Sequence, residues 1–270
     1  MNISLMIIIG VQIIFESLPV SSSGHVALFR SLFGLTTIES FEGLLFFPTI
    51  IIVLLFFFRD WFSLLSSLSA SLFTMRPSQR KLWSLVWPLS GYVTVTTGIT
   101  ALGYYFLRVV LRDNLVLQSP GMLSFGLFVT TITLLSARCI KDRPCEILTW
   151  RKAVVLGLVQ ATALLPGISR LGSTYVAARW LNLSERRSFQ LSFLIFFPIM
   201  GAALIRDAIP FLKNGSWSLG CDEWSLLAFA CIVAWDMFHL TYRLVLNKKL
   251  WVVGLYMMVP LLVSITFLVY

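Results

Sequence analysis

The sequence predicts an all-α polytopic membrane protein. It should have about six transmembrane helices plus two re-entrant helical hairpins, arranged as an inverted-topology repeat in one membrane domain over 1–270. Three observations carry this expectation. Apolar residue types make up 58 % of the chain and charged types 12 %, and mean hydropathy is +0.88. A soluble domain carries roughly twice that charged fraction. The apolar residues are gathered in runs such as Leu44 to Phe58 and Leu250 to Val259. The surplus charge is confined to three short segments, and two short apolar stretches each run into a break rich in Pro, Gly and Ser. A soluble single domain and a disordered chain are both excluded.

The net charge of +9 comes from 21 basic and 12 acidic residues. The segments Arg59 to Lys81, Arg138 to Lys152 and Arg243 to Lys249 each contribute +3, and the remainder balances at nine against nine. Short basic loops between apolar spans mark the cytoplasmic side. Once they are placed there, no basic patch is left for nucleic acid, and no nucleic-acid partner is expected. Cys139, Cys145, Cys221 and Cys231 suggest neither a disulfide nor a metal site. The start of the chain shows no basic region and no small-residue cleavage site, so no cleaved signal is expected.

The expected spans are Phe41–Phe58, Trp83–Leu107, Ser119–Ala137, Ser188–Ile209, Trp224–Val245 and Leu250–Tyr270. Ile3 to Phe15 and Ala153 to Leu165 have 13 residues each, a length that suits re-entrant or interfacial segments or the halves of longer spans. The breaks that follow are Ser17-Leu-Pro-Val-Ser-Ser-Ser-Gly-His25 and Leu165-Pro-Gly-Ile-Ser-Arg-Leu-Gly172. Gly10, Leu18, Pro19 and Ser22 match Gly157, Leu165, Pro166 and Ser169 at a constant offset of 147. With the basic loops inside, the halves 1–137 and 150–270 have opposite orientation and both termini lie outside. Such repeats place their site where the broken elements meet.

Ionisable groups at membrane depth are costly, so they are functional candidates. The first break offers Gln12, Glu16 and His25, and the second offers Arg170. Gln12 and Glu16 share a helix face at i,i+4. They suit Mg²⁺ or Ca²⁺ with substrate phosphate completing the shell, or a polar pair between helices. Ser22 and His25 can place a hydroxyl beside an imidazole as nucleophile and base, or serve as a capped turn. Arg170, flanked by Ser169, Ser173 and Thr174 in a Gly-rich loop, can form a phosphate cradle or cap helix carbonyls. Together these groups fit phosphoryl transfer. Asp236, His239, Arg186 and Arg187 read as interfacial or solvated.

At these residues the chain resembles the undecaprenyl-diphosphate phosphatase family of the bacitracin-resistance type. The resemblance rests on Gln12-Ile-Ile-Phe-Glu16, Leu18-Pro-Val-Ser-Ser-Ser-Gly-His25 and Pro166-Gly-Ile-Ser-Arg-Leu-Gly-Ser-Thr174. It continues more weakly at Phe41-Glu42 and Ser192-Phe-Leu-Ile-Phe-Phe-Pro198. It implies an integral enzyme of the bacterial inner membrane that removes the terminal phosphate of a polyprenyl diphosphate lipid and so recycles the carrier for cell-wall synthesis. It also implies a divalent cation, Mg or Ca, and a site open to the outer face. Catalysis then falls to Ser22, His25, Glu16 and Arg170. Substrate phosphate falls to Ser169, Arg170, Ser173 and Thr174, and the metal to Gln12 and Glu16. Whether Ser22 or His25 attacks stays open, and a homodimer is allowed. Leu171 replaces a usual Ser or Thr, and Gln12 a frequent Glu. Phe46 and Pro48 replace a frequent Gln and Gly, and Tyr256-Met257 a frequent Tyr-Arg.

One alternative remains, and a second fails on its pattern. A transporter or flippase of phosphorylated polyprenyl lipids would share the inverted repeat and the anion-binding Arg170 but needs no nucleophile. The other membrane phosphatase superfamily has a His six residues after its Ser-Arg, where this chain has Val176.

Overall fold

The computed structural model describes residues 3–34, 46–58, 77–110, 119–141, 148–214 and 221–269. The described residues form ten α-helices and no strand. In order they are α1 (Ile3–Glu16), α2 (Ser22–Phe33), α3 (Phe46–Phe56), α4 (Pro77–Tyr105), α5 (Pro120–Ser136), α6 (Trp150–Thr162), α7 (Arg170–Trp180), α8 (Glu185–Asn214), α9 (Cys221–Leu246) and α10 (Trp251–Val269). A π-helical turn, Phe106–Val110, extends α4. This is an all-helical membrane protein. Three stretches are long and apolar enough to cross a bilayer: Pro120–Cys139, Glu185–Arg206 and Ala228–Leu246. Phe46–Phe56 and Trp251–Phe267 are apolar but shorter. The start of the expected first span (41–45) and much of two basic segments (59–76 and 142–147) lie outside the described residues.

The ends of the helices follow from their sequences. Helix α1 stops at Glu16 because Leu18 precedes Pro19, and a residue before proline is driven out of the helical region. Ser21 then caps α2, its hydroxyl accepting the Gly24 N–H at 3.1 Å. Gly34, at φ +60, closes α2 with its N–H on the Arg30 carbonyl. In the second half, Thr149 caps α6 and Ser169 caps α7, the latter accepting the Gly172 N–H at 3.1 Å. At 1.5 Å per residue, α1 and α6 are each about 20 Å long, short of the roughly 30 Å hydrocarbon core.

The caps correct the register expected from the sequence. Ser22 matches Ser169 at the offset of 147, but the residue that caps α2 is Ser21. The pairs Ser21/Ser169 and Gly24/Gly172 are 148 residues apart. The cause is one extra residue in the second break: Pro19 stands two before its capping serine, Pro166 three before. Gly167 absorbs the insertion at φ +86, a conformation open to glycine at little cost.

Irregular backbone at this depth needs partners from neighbouring helices. Thr241 on α9 donates to the Ser17 carbonyl at 2.9 Å. Thr130 on α5 donates to the Gly167 carbonyl at 2.8 Å and accepts the Ser169 N–H at 2.9 Å. Two glycines bring α5 and the second break into backbone contact. A Cβ on Gly126 would fall 2.0 Å from the Pro166 carbonyl oxygen, and one on Gly167 would fall 2.5 Å from that of Leu123. The two breaks also meet, since a Cβ on Gly172 would lie 2.8 Å from the Pro19 carbonyl oxygen.

Around the breaks, α1 packs on α9 and α6 on α4, α2 on α10 and α7 on α5, and α3 on α9 and α8 on α4. The largest contact joins α5 to α10. The main core gathers Phe57, Phe189, Phe193 and Phe238 with Leu127, Leu134 and Met257. It lies beneath both breaks, through Val20 from the first and through Tyr175 and Val176 from α7. Arg179, near the end of α7, is buried, ion-paired to Glu185 at 2.8 Å and bonded to the Leu183 carbonyl. Glu185 is therefore tied to α7 at the start of α8, not turned to solvent.

Candidate active site

Glu16 ends α1, where the chain has just left the helix. Its Oε2 accepts two hydrogen bonds, from Ser22 Oγ at 2.7 Å and from Gln12 Nε2 at 3.3 Å. The i,i+4 spacing of Gln12 and Glu16 thus produces a direct pair. Ser22 is the first residue of α2 and reaches back across the Leu18–Ser21 turn to the carboxylate.

The spacing of Ser22 and His25 allows either a facing pair or a capped turn, and the structure has the capped turn. His25 is 3 % exposed and both ring nitrogens are engaged elsewhere. Nδ1 lies 2.7 Å from the Ser21 carbonyl oxygen and Nε2 lies 3.1 Å from the Tyr256 hydroxyl. A carbonyl only accepts, so Nδ1 carries the proton, and in the neutral ring Nε2 accepts from the phenol. The imidazole stacks on Phe15 with centroids 4.0 Å apart. The reason Ser22 and His25 part is local: a histidine in the first turn of a helix can fold its Nδ1 back onto the cap carbonyl. The serine hydroxyl is then left to the nearest acceptor, Glu16.

Arg170 opens α7 and meets the first break from the other side. Its guanidinium sits 4.2 Å from the Phe196 ring centroid and 5.4 Å from that of Phe46, within cation–π range. It is also within Coulombic reach of Glu16. Gly172 of α7 lies against the Pro19 carbonyl of the first break, so Arg170 starts its helix beside the turn that carries Glu16 and Ser22.

The hydroxyls around Arg170 are used unevenly. Ser169 accepts the Gly172 N–H and keeps its own proton for a further acceptor. Thr174 donates to the Arg170 carbonyl at 2.7 Å, so its proton is spent on the backbone. Ser173 is buried. Leu171 packs against the main apolar core, so a hydroxyl there would face the interior.

A cation has limited ligands here. Among the described residues no group of three or more His, Cys, Asp or Glu side chains converges. Glu42 lies outside the described residues. Glu16 and Gln12 offer one carboxylate and one amide oxygen. That donor set fits Mg²⁺ or Ca²⁺ held chiefly through substrate phosphates, and does not form a closed protein cage.

Sequence reasoning missed Tyr256, Phe15, Phe196 and Thr130. Tyr256 stood out only as part of an unusual dipeptide. A phenol inside an apolar run was the available signal, since buried Tyr hydroxyls find partners. Phe196 lies in the weakly similar run Ser192 to Pro198, and nothing in its spacing marks it as an arginine platform.

The family model described as bacitracin resistance protein BacA matches residues 6–262. Undecaprenyl-diphosphatase 1 of Shouchella clausii is 31 % identical over 205 residues, covering 74 % of this chain and 72 % of its own. The undecaprenyl-diphosphatase of Salinibacter ruber is 31 % identical over 214 residues, covering 78 % of each chain. That of Mycolicibacterium vanbaalenii is 29 % identical over 247 residues, covering 88 % of this chain and 87 % of its own.

Proposed function

Because the chain belongs to the bacitracin resistance protein BacA family, we propose that it hydrolyses undecaprenyl diphosphate to undecaprenyl phosphate and inorganic phosphate. The product is the lipid carrier reused in cell-wall synthesis. One observation carries the chemistry: the Ser22 hydroxyl donates to the Glu16 carboxylate at 2.7 Å, with Arg170 in Coulombic range of that carboxylate. A hydroxyl already bonded through its proton to a carboxylate is an activated nucleophile. A neighbouring guanidinium suits the oxygens of a transferring phosphoryl group.

Arg170 and the Ser169 hydroxyl bind the terminal phosphate. Ser22 Oγ attacks that phosphorus, its proton passes to Glu16, and the bond to the bridging oxygen breaks, releasing the lipid monophosphate. Water then attacks the phosphoserine. Glu16 returns its proton to Ser22 Oγ, the proton lost by the attacking water passes to a phosphate oxygen, and dihydrogen phosphate leaves. His25 holds the turn that carries Ser22 through its bond to the Ser21 carbonyl. A divalent cation held by Glu16, Gln12 and the substrate would supply charge neutralisation. The transporter reading finds no use for a serine held on a carboxylate.

The halves 1–137 and 150–270 read as pseudo-repeats of opposite orientation. Five helices in the first half pair with five in the second: α1 with α6, α2 with α7, α3 with α8, α4 with α9, α5 with α10. Supporting this reading, the packing of α1 on α9 is repeated by α6 on α4, and that of α2 on α10 by α7 on α5. Both broken pairs share the Ser-x-x-Gly cap. On this reading α1–α2 and α6–α7 are the re-entrant hairpins, the termini lie outside the cytoplasmic membrane, and the site opens to the outer face.

The test is phosphate release from undecaprenyl diphosphate by purified protein. Ser22→Ala should lower the rate by about 10²-fold or more while leaving lipid binding intact. A phosphorylated serine trapped by rapid acid quench should disappear in the same variant. Unchanged turnover in Ser22→Ala would remove Ser22 from the mechanism.

A further inference from the structure

Tyr256 reaches into the first broken helix pair at His25 from 231 residues away. Its position is closely determined. Helix α10 lies against α5 at Gly254, where a Cβ would fall 2.9 Å from the Leu135 amide nitrogen. One turn on, Thr131 of α5 donates to the Met257 carbonyl at 3.4 Å. Trp251 at the start of α10 lies under the Arg138 guanidinium at 5.0 Å. Tyr256 therefore stands on a helix fixed in register against α5.

From there its ring runs nearly parallel to two others. It is 4° from the His25 plane and 19° from that of Phe15, with centroids 5.7 and 6.4 Å away. A phenylalanine could supply this stacking. The hydroxyl adds the bond to Nε2, and with it a continuous chain: Tyr256 O–H to His25 Nε2, His25 Nδ1–H to the Ser21 carbonyl, and Ser21 joined directly to Ser22. Take the phenol away and the buried Nε2 is left without its partner, so the imidazole is no longer held at both ends. A ring that turns to find another partner leaves the Ser21 carbonyl with the His25 backbone N–H alone, at 3.0 Å, and the turn that aims Ser22 at Glu16 loosens.

We infer that Tyr256 is a positioning residue for the proposed hydrolysis. Its hydroxyl satisfies the buried Nε2 and so holds the His25 ring with Nδ1–H on the Ser21 carbonyl, which sets the turn that presents Ser22. This rests on the hydrolase reading above. It acts on the nucleophile and not on phosphate binding, since Arg170 enters from α7 and its aromatic neighbours, Phe46 and Phe196, belong to α3 and α8.

The experiment uses full-length protein purified in detergent and the variants Tyr256→Phe and Tyr256→Leu. Phosphate release from undecaprenyl diphosphate gives kcat and KM. The chain has two histidines, so a His239→Asn background leaves His25 as the single signal in ¹⁵N-histidine NMR. Tyr256→Phe should lower kcat roughly tenfold or more with KM within about twofold, because misplacing a nucleophile costs turnover and not binding. Its thermal midpoint should stay near that of the parent, and the His25 Nε2 ¹⁵N shift should move as that nitrogen loses its hydrogen bond. Tyr256→Leu should lose at least as much activity and should also unfold earlier. Unchanged kcat in Tyr256→Phe, a loss confined to KM, or an unaltered His25 Nε2 shift would each overturn the inference. An inactive parent would overturn the hydrolase reading instead, and the NMR arm would then judge the Tyr256–His25 bond alone.

Discussion

Ser22 and His25 sit three residues apart on one helix, yet one side chain turns to Glu16 and the other to Tyr256. Spacing brought both residues to the same short turn, and the motif around them was legible from the sequence. Their partners were not, because an i,i+3 relation fixes neither χ1 nor the acceptor that lies nearest. The acceptor for Ser22 was within reach of sequence reasoning at Glu16, six residues back. The donor to His25 is on the last described helix and leaves no trace in local spacing. Arg170 gives a residue-scale prediction. Arg170→Lys keeps the charge but loses the planar fork and the fit over Phe196, so turnover should fall at least about tenfold in phosphate-release assays. Activity equal to the parent would mean that a point charge suffices. Phe196→Leu should give a smaller loss, seen mainly in KM, because it removes the platform and leaves the guanidinium.

Helices α2 and α7 begin with the same cap, and the sequence alignment of their breaks was off by one. Leu-Pro is the visible landmark, and it shifted the match because the second break holds one more residue than the first. The inserted Gly167 has a positive φ and touches the α5 backbone. Gly167→Ala therefore places a Cβ where the backbone conformation and the space both oppose it. The expected cost is at least about 1–3 kcal/mol, read as a lowered thermal midpoint in detergent. Thr130 offers the complementary test. Thr130→Val keeps the shape but leaves the Gly167 carbonyl and the Ser169 N–H without their buried partner. The variant should lose about 1–3 kcal/mol, and activity should fall with it because the Ser169 cap leads directly into Arg170. An unchanged midpoint would show that another group takes over both bonds. Helix ends were legible here because Ser, Pro and Gly announce them. The supporting threonines were not, since a Thr inside an apolar helix most often bonds its own i−4 carbonyl, as Thr131 does.

Across the whole molecule, charge was the most informative feature of the sequence. Its three basic segments suggested orientation, and orientation suggested two halves facing opposite ways. The helix pairing observed around the breaks supports that reading. Of the about six expected spans, three fall in described stretches long and apolar enough to cross, and Phe46–Phe56 and Trp251–Phe267 are shorter apolar stretches among the described residues. Cysteines introduced at Arg76 and at Asn182 should both label from the cytoplasmic side in sealed cells, and labelling from opposite sides would break the inverted arrangement. The measurement that bears most directly on the central claim is phosphate release from undecaprenyl diphosphate by the purified parent and by Arg170→Ala, each with and without a chelator of divalent cations. A hydrolytic site between the two breaks should give turnover in the parent, at least about tenfold less in Arg170→Ala, and loss on chelation. No phosphate release from the parent, or equal release from parent and variant, would contradict it.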